Sequence, residues 1–249
     1  MKTLSIAALA AAFLLAAAPV AGAQDHWRID FENGAAFAGY NDVRIPGDSG
    51  SKFSLSGDLD SGTAYYWRAR ADLRVAPKHV VSALVAPLTL ESSGRFNRPI
   101  AFAGRVFDAG IPVRSRYVFN SYRLTYRYEP VRNDTWTFGV GLTVKIRDAV
   151  IRLQSQGTSA EKKNVGGVPL VNFRLERRLG ARTALLLEGD ALAAPQGRAE
   201  DVFAGVLFHA GKRWSFKAGY RLLEGGADND QVYTFALVHY LAAGVVVRF

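Results

Sequence analysis

Charged residues recur at every second position in several segments of the chain. The segment YYWRARADLRV at 65–75, for example, spaces three arginines and one aspartate at intervals of two. Alternate residues of a β-strand leave the same side of the backbone, so these charges share one face. If the fold encloses this face, its charges must either pair with one another or line a narrow hydrated path for ions. By their parity, we place on this face Arg68, Arg70, Asp72, Arg74, Arg123, Arg127, Lys145, Arg147, Arg174, Glu176, Glu188, Asp190, Lys217 and Arg221.

The four histidines and the acidic segment EGGADND at 224–230 are the other groups that could do chemistry. The sequence contains no HExxH, P-loop or dinucleotide-binding pattern, and 224–230 lacks the ligand spacing of an EF-hand calcium loop. Its glycines are typical of a hairpin turn. We therefore expect no metal site, no cofactor and no catalytic residue.

The charged faces lie on segments whose opposite face is apolar and aromatic. In TWTFGVGLTVKIRD at 135–148, every second residue from Trp136 to Ile146 is apolar. This period of two predicts strands, several of them longer than the usual length of about five or six residues and long enough to span a bilayer. A water-soluble antiparallel sandwich also alternates and remains the alternative. We place the strands at 27–40, 63–76, 79–91, 113–129, 135–153, 167–178, 182–193, 201–210, 214–224 and 232–249.

The connections between these segments alternate in length. PK, PVRND, LGA and AGK are short, whereas the connections that follow the first, third and fifth strands are long. Together with the even number of strands, this predicts an all-β protein, a closed antiparallel transmembrane barrel of about ten strands, with eight or twelve left open. Aromatic residues fit two belts at two lipid interfaces. They are Trp27, Tyr128, Trp136, Trp214 and Phe249 beside the termini and short turns, and Tyr65, Trp67, Tyr233 and Phe235 near longer connections.

The first residues predict export. In 1–23, Lys2 precedes the apolar run IAALAAAFLLAAAPV, and the small residues AGA precede Gln24, as in a cleaved signal peptide. We expect residues 24–249 to form a single barrel domain. The chain has no cysteine, which excludes a disulfide scaffold, and its net charge of +9 favours an anionic partner. For an exported chain we expect that partner to be phosphate-bearing lipid and not nucleic acid.

The chain ends in AAGVVVRF, which resembles the C-terminal assembly signal of bacterial outer-membrane β-barrel proteins. Gly244, Val247 and Phe249 match that signal, while Ala242 stands where the pattern prefers a polar residue. The resemblance implies an outer-membrane location and insertion by the barrel assembly machinery, and the short turns at the end of the barrel that carries the termini place both termini on the periplasmic side. A transmembrane helix over 232–247 is the competing interpretation, but this segment is short for a helical span and rich in β-branched residues.

Three classes of function fit such a barrel. We favour a structural barrel or a narrow, mostly plugged passive channel that prefers anions, because the predicted lumenal cations outnumber the carboxylates. The alternatives are adhesion or ligand binding by the loops, and a hydrolase similar to the omptin proteases or the lipid A deacylases. Three histidines, His26, His79 and His209, fall at the periplasmic end, far from an outer site. His239 points at lipid, and Leu241 stands two residues later, where the deacylases have a serine.

The two longest loops are expected either to fold over the barrel mouth or to be mobile surface loops. Cations near the predicted outer rim are expected to contact lipopolysaccharide phosphates, for which arginine offers bidentate geometry. We expect a monomer. The predicted rim cations are Arg95, Arg98, Arg105, Arg114, Arg116, Lys162 and Lys163.

Overall fold

Alternation of apolar and polar side chains folds most of the chain into β-strands. The computed structural model describes residues 26–195 and 197–249, and the predicted signal peptide, residues 1–23, lies outside them. The strands are β1 (Trp27–Arg44), β2 (Phe53–Ser54), β3 (Asp60–Ser61), β4 (Ala64–Ala76), β5 (His79–Ala86), β6 (Thr89–Arg95), β7 (Ile100–Phe102), β8 (Arg105–Phe107), β9 (Pro112–Arg132), β10 (Trp136–Ser155), β11 (Thr158–Arg178), β12 (Thr183–Ala194), β13 (Gly197–His209), β14 (Trp214–Asn229) and β15 (Val232–Arg248).

The antiparallel sheet closes into a barrel, because β1 pairs with β4 on one side and with β15 on the other. β5 and β6 form one interrupted wall strand, since both pair with β9 and only Pro87 and Leu88 separate them. Proline has no N–H to donate, which explains the interruption. The prediction of ten wall strands is therefore confirmed. We call the end with the two termini and the short turns the lower end, and the opposite end the upper end.

The barrel surface is apolar and its interior is charged. On β10, Leu142 and Val144 are exposed by 69% and 61%, whereas Thr143 and Lys145 are buried at 1% and 2%. An exposed apolar surface of this extent marks contact with lipid. Within the part of the chain that the structure describes, no helix is long and apolar enough to cross a bilayer.

Aromatic side chains mark the lower edge of this apolar belt. Trp136, Trp214 and Phe249 are exposed there, each beside a terminus or a short turn. Amphipathic rings take this position at a lipid interface. On β10 the outward residues are apolar from Trp136 up to Ile146, and Asp148 follows. The belt therefore extends from the lower aromatic ring to the level of Ile146.

Three connections that we predicted as loops at the upper end are continuous hairpins instead. β10 and β11 extend through the predicted loop 154–166 and turn at 156–157. β13 begins at Gly197, inside the predicted connection 194–200, and β14 extends to Asn229. The reason is that backbone pairing alone maintains these hairpins above the bilayer, where no apolar face is required. The predicted strands therefore stop short of the observed ones on this side.

The last strand closes the barrel. The Phe249 N–H donates to the Trp27 carbonyl oxygen at 3.1 Å, and the Trp27 N–H donates back at 2.9 Å. A Cβ on Gly244 would lie 2.5 Å from the Phe31 carbonyl oxygen and 2.9 Å from the Lys217 side chain, so this close approach requires glycine. β15 is a strand over the whole segment for which a helix was the competing interpretation.

The two long loops are folded over the upper end. The Phe53 ring of the first loop lies 5.4 Å from Phe96 and 5.8 Å from Phe102 of the second. These three side chains are buried, together with Leu55 and Phe107. The loops therefore form an apolar cap over part of the mouth, which is the first of the two alternatives that the sequence left open.

Gly141→Ala should destabilise the barrel, because an added Cβ would lie 2.0 Å from the Tyr126 carbonyl oxygen on β9. Overpacking of this kind costs about 1–3 kcal/mol. The matched control is Gly167→Ala on β11, where a Cβ meets no atom within 4 Å. Urea unfolding of both variants in lipid vesicles measures the difference. Equal unfolding midpoints would contradict so close a contact between β9 and β10.

Candidate functional site

The interior at mid-height is filled by ion pairs between strands that lie far apart in sequence. Asp201 of β13 accepts hydrogen bonds from three arginines, at 2.9, 2.5 and 2.7 Å: Arg68, Arg123 and Arg221. Arg221 also donates to both carboxylate oxygens of Glu32, at 2.7 and 2.8 Å. All five side chains are buried. Three cations thus converge on one carboxylate, and Glu32 joins β1 to the same group.

Further ion pairs surround this group. Arg174 bonds Glu176 at 2.6 Å and also bonds Glu188, which Arg70 approaches to 3.6 Å. Two cavities beside the pairs have about 10 Å³ each, the room that a single water needs. The lumen is therefore filled at this level. Other pairs in the interior include Arg123–Asp190 (2.6 Å), Lys217–Asp30 (2.7 Å), Lys217–Glu32 (2.8 Å), Arg28–Asp72 (3.0 Å), Arg28–Asp30 (3.0 Å), Arg74–Glu129 (2.9 Å) and Arg127–Glu129 (3.2 Å).

The charges that alternation placed on one face lie inside the barrel. Arg74 is half-buried at the lower rim, and Arg147 is half-buried in the upper lumen. Fully buried are Arg68, Arg70, Asp72, Arg123, Arg127, Lys145, Arg174, Glu176, Glu188, Asp190, Lys217 and Arg221. The carboxylates that complete the pairs were not among the predicted lumenal residues, although each has the parity of an inward position in its strand. They are Asp30, Glu32, Glu129 and Asp201.

The upper lumen is not filled. A cavity of about 460 Å³ lies above the ion pairs, bounded mainly by β9 to β15. Apolar side chains make up most of its wall, Lys145, Arg147 and Lys162 add positive charge, and Arg198 and Glu224 line it as an ion pair. Among the described residues, no group of three His, Asp or Glu side chains could hold a metal ion.

Three of the predicted rim cations lie on the outer surface of the upper barrel. Arg114 and Arg116 on β9 and Lys163 on β11 are exposed and point away from the lumen. Lys163 bonds Glu161 at 3.1 Å, and this hydrogen bond, followed by that from a neighbouring arginine, lowers the pKa of Glu161. Lys162 has the opposite parity and lines the cavity.

The other three predicted rim cations belong to the loops. Arg95 donates to the Gly110 carbonyl oxygen at 2.5 Å, and Arg98 donates to the Lys52 carbonyl oxygen. Arg105 is exposed on β8. Two of the three arginines therefore stabilise the cap by hydrogen bonds to its backbone, while Arg105 is exposed on its surface.

His209 and His239 share hydrogen bonds with hydroxyl groups of neighbouring strands. His209 is buried at the lower end and shares a hydrogen bond with the Ser215 hydroxyl at 2.9 Å. Arg248 donates to the same hydroxyl at 3.2 Å, and no described carboxylate bonds His209, so no triad is present. His239 lies on the outward face, where it bonds the Tyr220 hydroxyl.

The fold is similar to those of solved outer-membrane proteins. The outer membrane protease OmpT from Escherichia coli matches with a TM-score of 0.56 at 8% identity, over 90% of this chain and 97% of that one. The transport unit of the autotransporter AIDA-I from Escherichia coli matches with a TM-score of 0.50 at 7% identity, over 98% and 97%. No family model and no curated protein matches the chain. The chain therefore has the fold of bacterial outer-membrane β-barrel proteins.

Arg123→Met should lower the free energy of unfolding by about 3–5 kcal/mol, because it leaves a buried carboxylate without its cation. Asp190 loses its ion pair, and Asp201 keeps its two other arginines. Adding Asp190→Asn should recover part of the lost free energy of unfolding, because it removes the unpaired charge. The matched control is Arg152→Gln, whose pair with Glu161 is exposed and should contribute little. Urea unfolding that does not distinguish Arg123→Met from wild type would show that these pairs are hydrated.

Proposed function

We propose that this protein is an integral outer-membrane barrel with a structural role, whose lumen is closed to ions by its internal ion pairs. The lower end faces the periplasm, and the capped upper end faces outward. The observation that carries the proposal is the convergence of Arg68, Arg123 and Arg221 on Asp201 in the middle of the lumen. A path for hydrated ions would have to break these desolvated pairs.

The anion preference that we expected is not part of this proposal. It depended on an excess of lumenal cations, counted without Asp30, Glu32, Glu129 and Asp201. These carboxylates bring the interior closer to neutrality, and they bind the cations that an anion would need. A closed lumen therefore has more support than an anion path.

The position of the histidines favours a structural protein over an outer-membrane hydrolase. In the proposed orientation, His209 and Ser215 lie at the periplasmic end of the barrel. Arg248 donates a hydrogen bond to the Ser215 hydroxyl. His239 faces lipid, and Leu241 is the outward residue that follows it. Neither histidine has an adjacent nucleophile and acid in the arrangement that acyl transfer requires.

The C-terminal strand supports insertion by the barrel assembly machinery. Val247 lies on the outward face of β15, Phe249 directly after the strand is exposed, and Gly244 lies inward against Lys217. These residues at the lower end would therefore be accessible to the assembly machinery before β15 pairs with β1 and closes the barrel. We propose a monomer, because β1 and β15 pair with each other and leave no free edge at the closure.

Planar-bilayer recording tests the closed lumen. The refolded protein should give no discrete current steps. A quadruple variant, Arg68→Ala with Arg123→Ala, Asp190→Asn and Asp201→Ala, should give measurable steps, because it removes the central group without leaving an unpaired carboxylate at Asp190 or Asp201. Steps from the wild-type protein that have the same size as those of the variant would contradict a closed lumen.

The outward cations of the upper barrel support contact with lipopolysaccharide phosphates. Arg114→Glu with Arg116→Glu and Lys163→Glu should reduce the lipopolysaccharide that copurifies with the barrel severalfold, because guanidinium and ammonium groups bind phosphate. The control is Lys212→Glu with Arg213→Glu, two exposed residues of a periplasmic turn. Quantifying bound lipopolysaccharide in both variants checks this, and equal amounts would count against the contact.

A further inference from the structure

The upper lumen contains a cavity that has no part in the proposed closure of the lumen to ions. Its volume of about 460 Å³ lies within the usual range for a pocket that binds one small molecule. Lys145 lies at its floor, in register with Arg123, which belongs to the ion pairs below. Phe119, Leu192 and Leu223 contribute to an otherwise mostly apolar wall. Such a wall favours a hydrocarbon chain over a polar solute.

Lys145 gives this cavity a cation without a counter-charge. The residue is 2% exposed, and its ammonium lies 4.7 Å from the centre of the Phe119 ring. No carboxylate of the described residues forms an ion pair with it, whereas the similarly buried Lys217 is held by Asp30 and Glu32. An unpaired buried charge is costly, so an anionic group in the cavity would stabilise Lys145.

Two more basic side chains line the cavity from the same side. Arg147 follows Lys145 on the inward face of β10 and donates from Nη2 to Asn164. Its buried Nε–H has no partner among the described residues. Lys162 lies nearby on β11. These donors are suited to a carboxylate or phosphate group, which accepts several charge-assisted hydrogen bonds.

The cavity adjoins a break in the barrel wall. β11 and β12 pair only as far as Val171 and Ala191, although β11 continues to Thr158. Just above the last pair, Pro169 on β11 and Leu192 on β12 both line the cavity. Pro169 has no N–H to donate, which is consistent with the end of the ladder at this point. The backbone ladder of the wall is therefore interrupted between these two strands, next to the cavity.

This break lies at the upper edge of the apolar belt. Pro169 is in register with Val144, and Gly167 is in register with Ile146, the last outward apolar residue of β10 before Asp148. Unpaired backbone groups are not tolerated in hydrocarbon, but water and headgroups satisfy them at the interface. A lipid of the outer leaflet would place its head at this height.

We propose that the cavity binds a single-chain amphiphile with an anionic head. The head lies between Lys145 and Arg147, and the chain lies along the apolar wall beside Leu192 and Leu223. The molecule enters from the outer leaflet between β11 and β12. The proposal rests on the proposed membrane orientation but not on closure to ions, because the ion pairs lie below the cavity.

A photoreactive palmitate analogue, with a diazirine at its chain end, tests the site in the full mature protein in nanodiscs of zwitterionic lipid. Wild-type protein should show saturable labelling that maps to the apolar wall. Lys145→Met should raise the half-saturating concentration about tenfold or more, the loss expected of one charge-assisted hydrogen bond. This variant leaves no carboxylate unpaired, so the fold should be retained, and Lys145→Arg should restore binding. The matched control is Lys163→Met, an outward residue, which should bind as wild type does.

Competition defines the head group. Unlabelled palmitate and lysophosphatidate should reduce labelling, and the stronger of the two identifies a carboxylate or a phosphate head. Hexadecanol, which has the same chain without charge, should compete poorly. Equal competition by hexadecanol, or equal labelling of Lys145→Met, would overturn the anionic site. Absence of saturable labelling in a barrel that still gives no current steps would reject the ligand and leave the proposed closure intact.

The route is tested by closing the break. The chain has no cysteine, so Pro169→Cys with Ala193→Cys provides a single pair for a short bis-maleimide. The crosslink should slow labelling of the cavity at least tenfold relative to the same double variant without crosslinker. Labelling at the same rate with and without crosslinker would show entry through the mouth and overturn the lateral route.

Discussion

Charged side chains inside a narrow barrel must find their counter-charges within that barrel, because bulk water does not solvate them there. This requirement connects strands that are not neighbours in the wall. Arg221 on β14 reaches Glu32 on β1 across 189 positions of sequence, and Arg123 on β9 reaches Asp201 on β13 across 78. The interior therefore fixes the relative placement of the strands together with the backbone ladder.

The same requirement divides the lumen into two parts. At mid-height, cations and carboxylates are matched, and the space between them is no larger than a water. Above that level, Lys145 and Arg147 face a cavity with an apolar wall and lack carboxylate partners among the described residues. This division is the basis for the proposals that the middle of the barrel is closed to ions and that the cavity at its mouth binds a ligand.

The wall strands could be predicted because a period of two is a local property of the sequence. The partners across the lumen could not, since they depend on barrel radius, strand tilt and register. Asp201 begins the segment with the weakest alternation, and nothing local indicates that three arginines converge on it. Lys162 is a different case, because it shares the parity of Arg174 and Glu176. Extending the alternation past the predicted end of that strand places it inside the barrel.

Osmotic water flow tests the filled lumen most directly, because water is the smallest solute that an incompletely filled interior would pass. The folded protein is reconstituted into liposomes at high density, and stopped-flow light scattering follows their shrinkage after an osmotic step. The ion pairs predict shrinkage at the rate of liposomes without protein. Shrinkage that is severalfold faster and increases with protein density would contradict a closed interior.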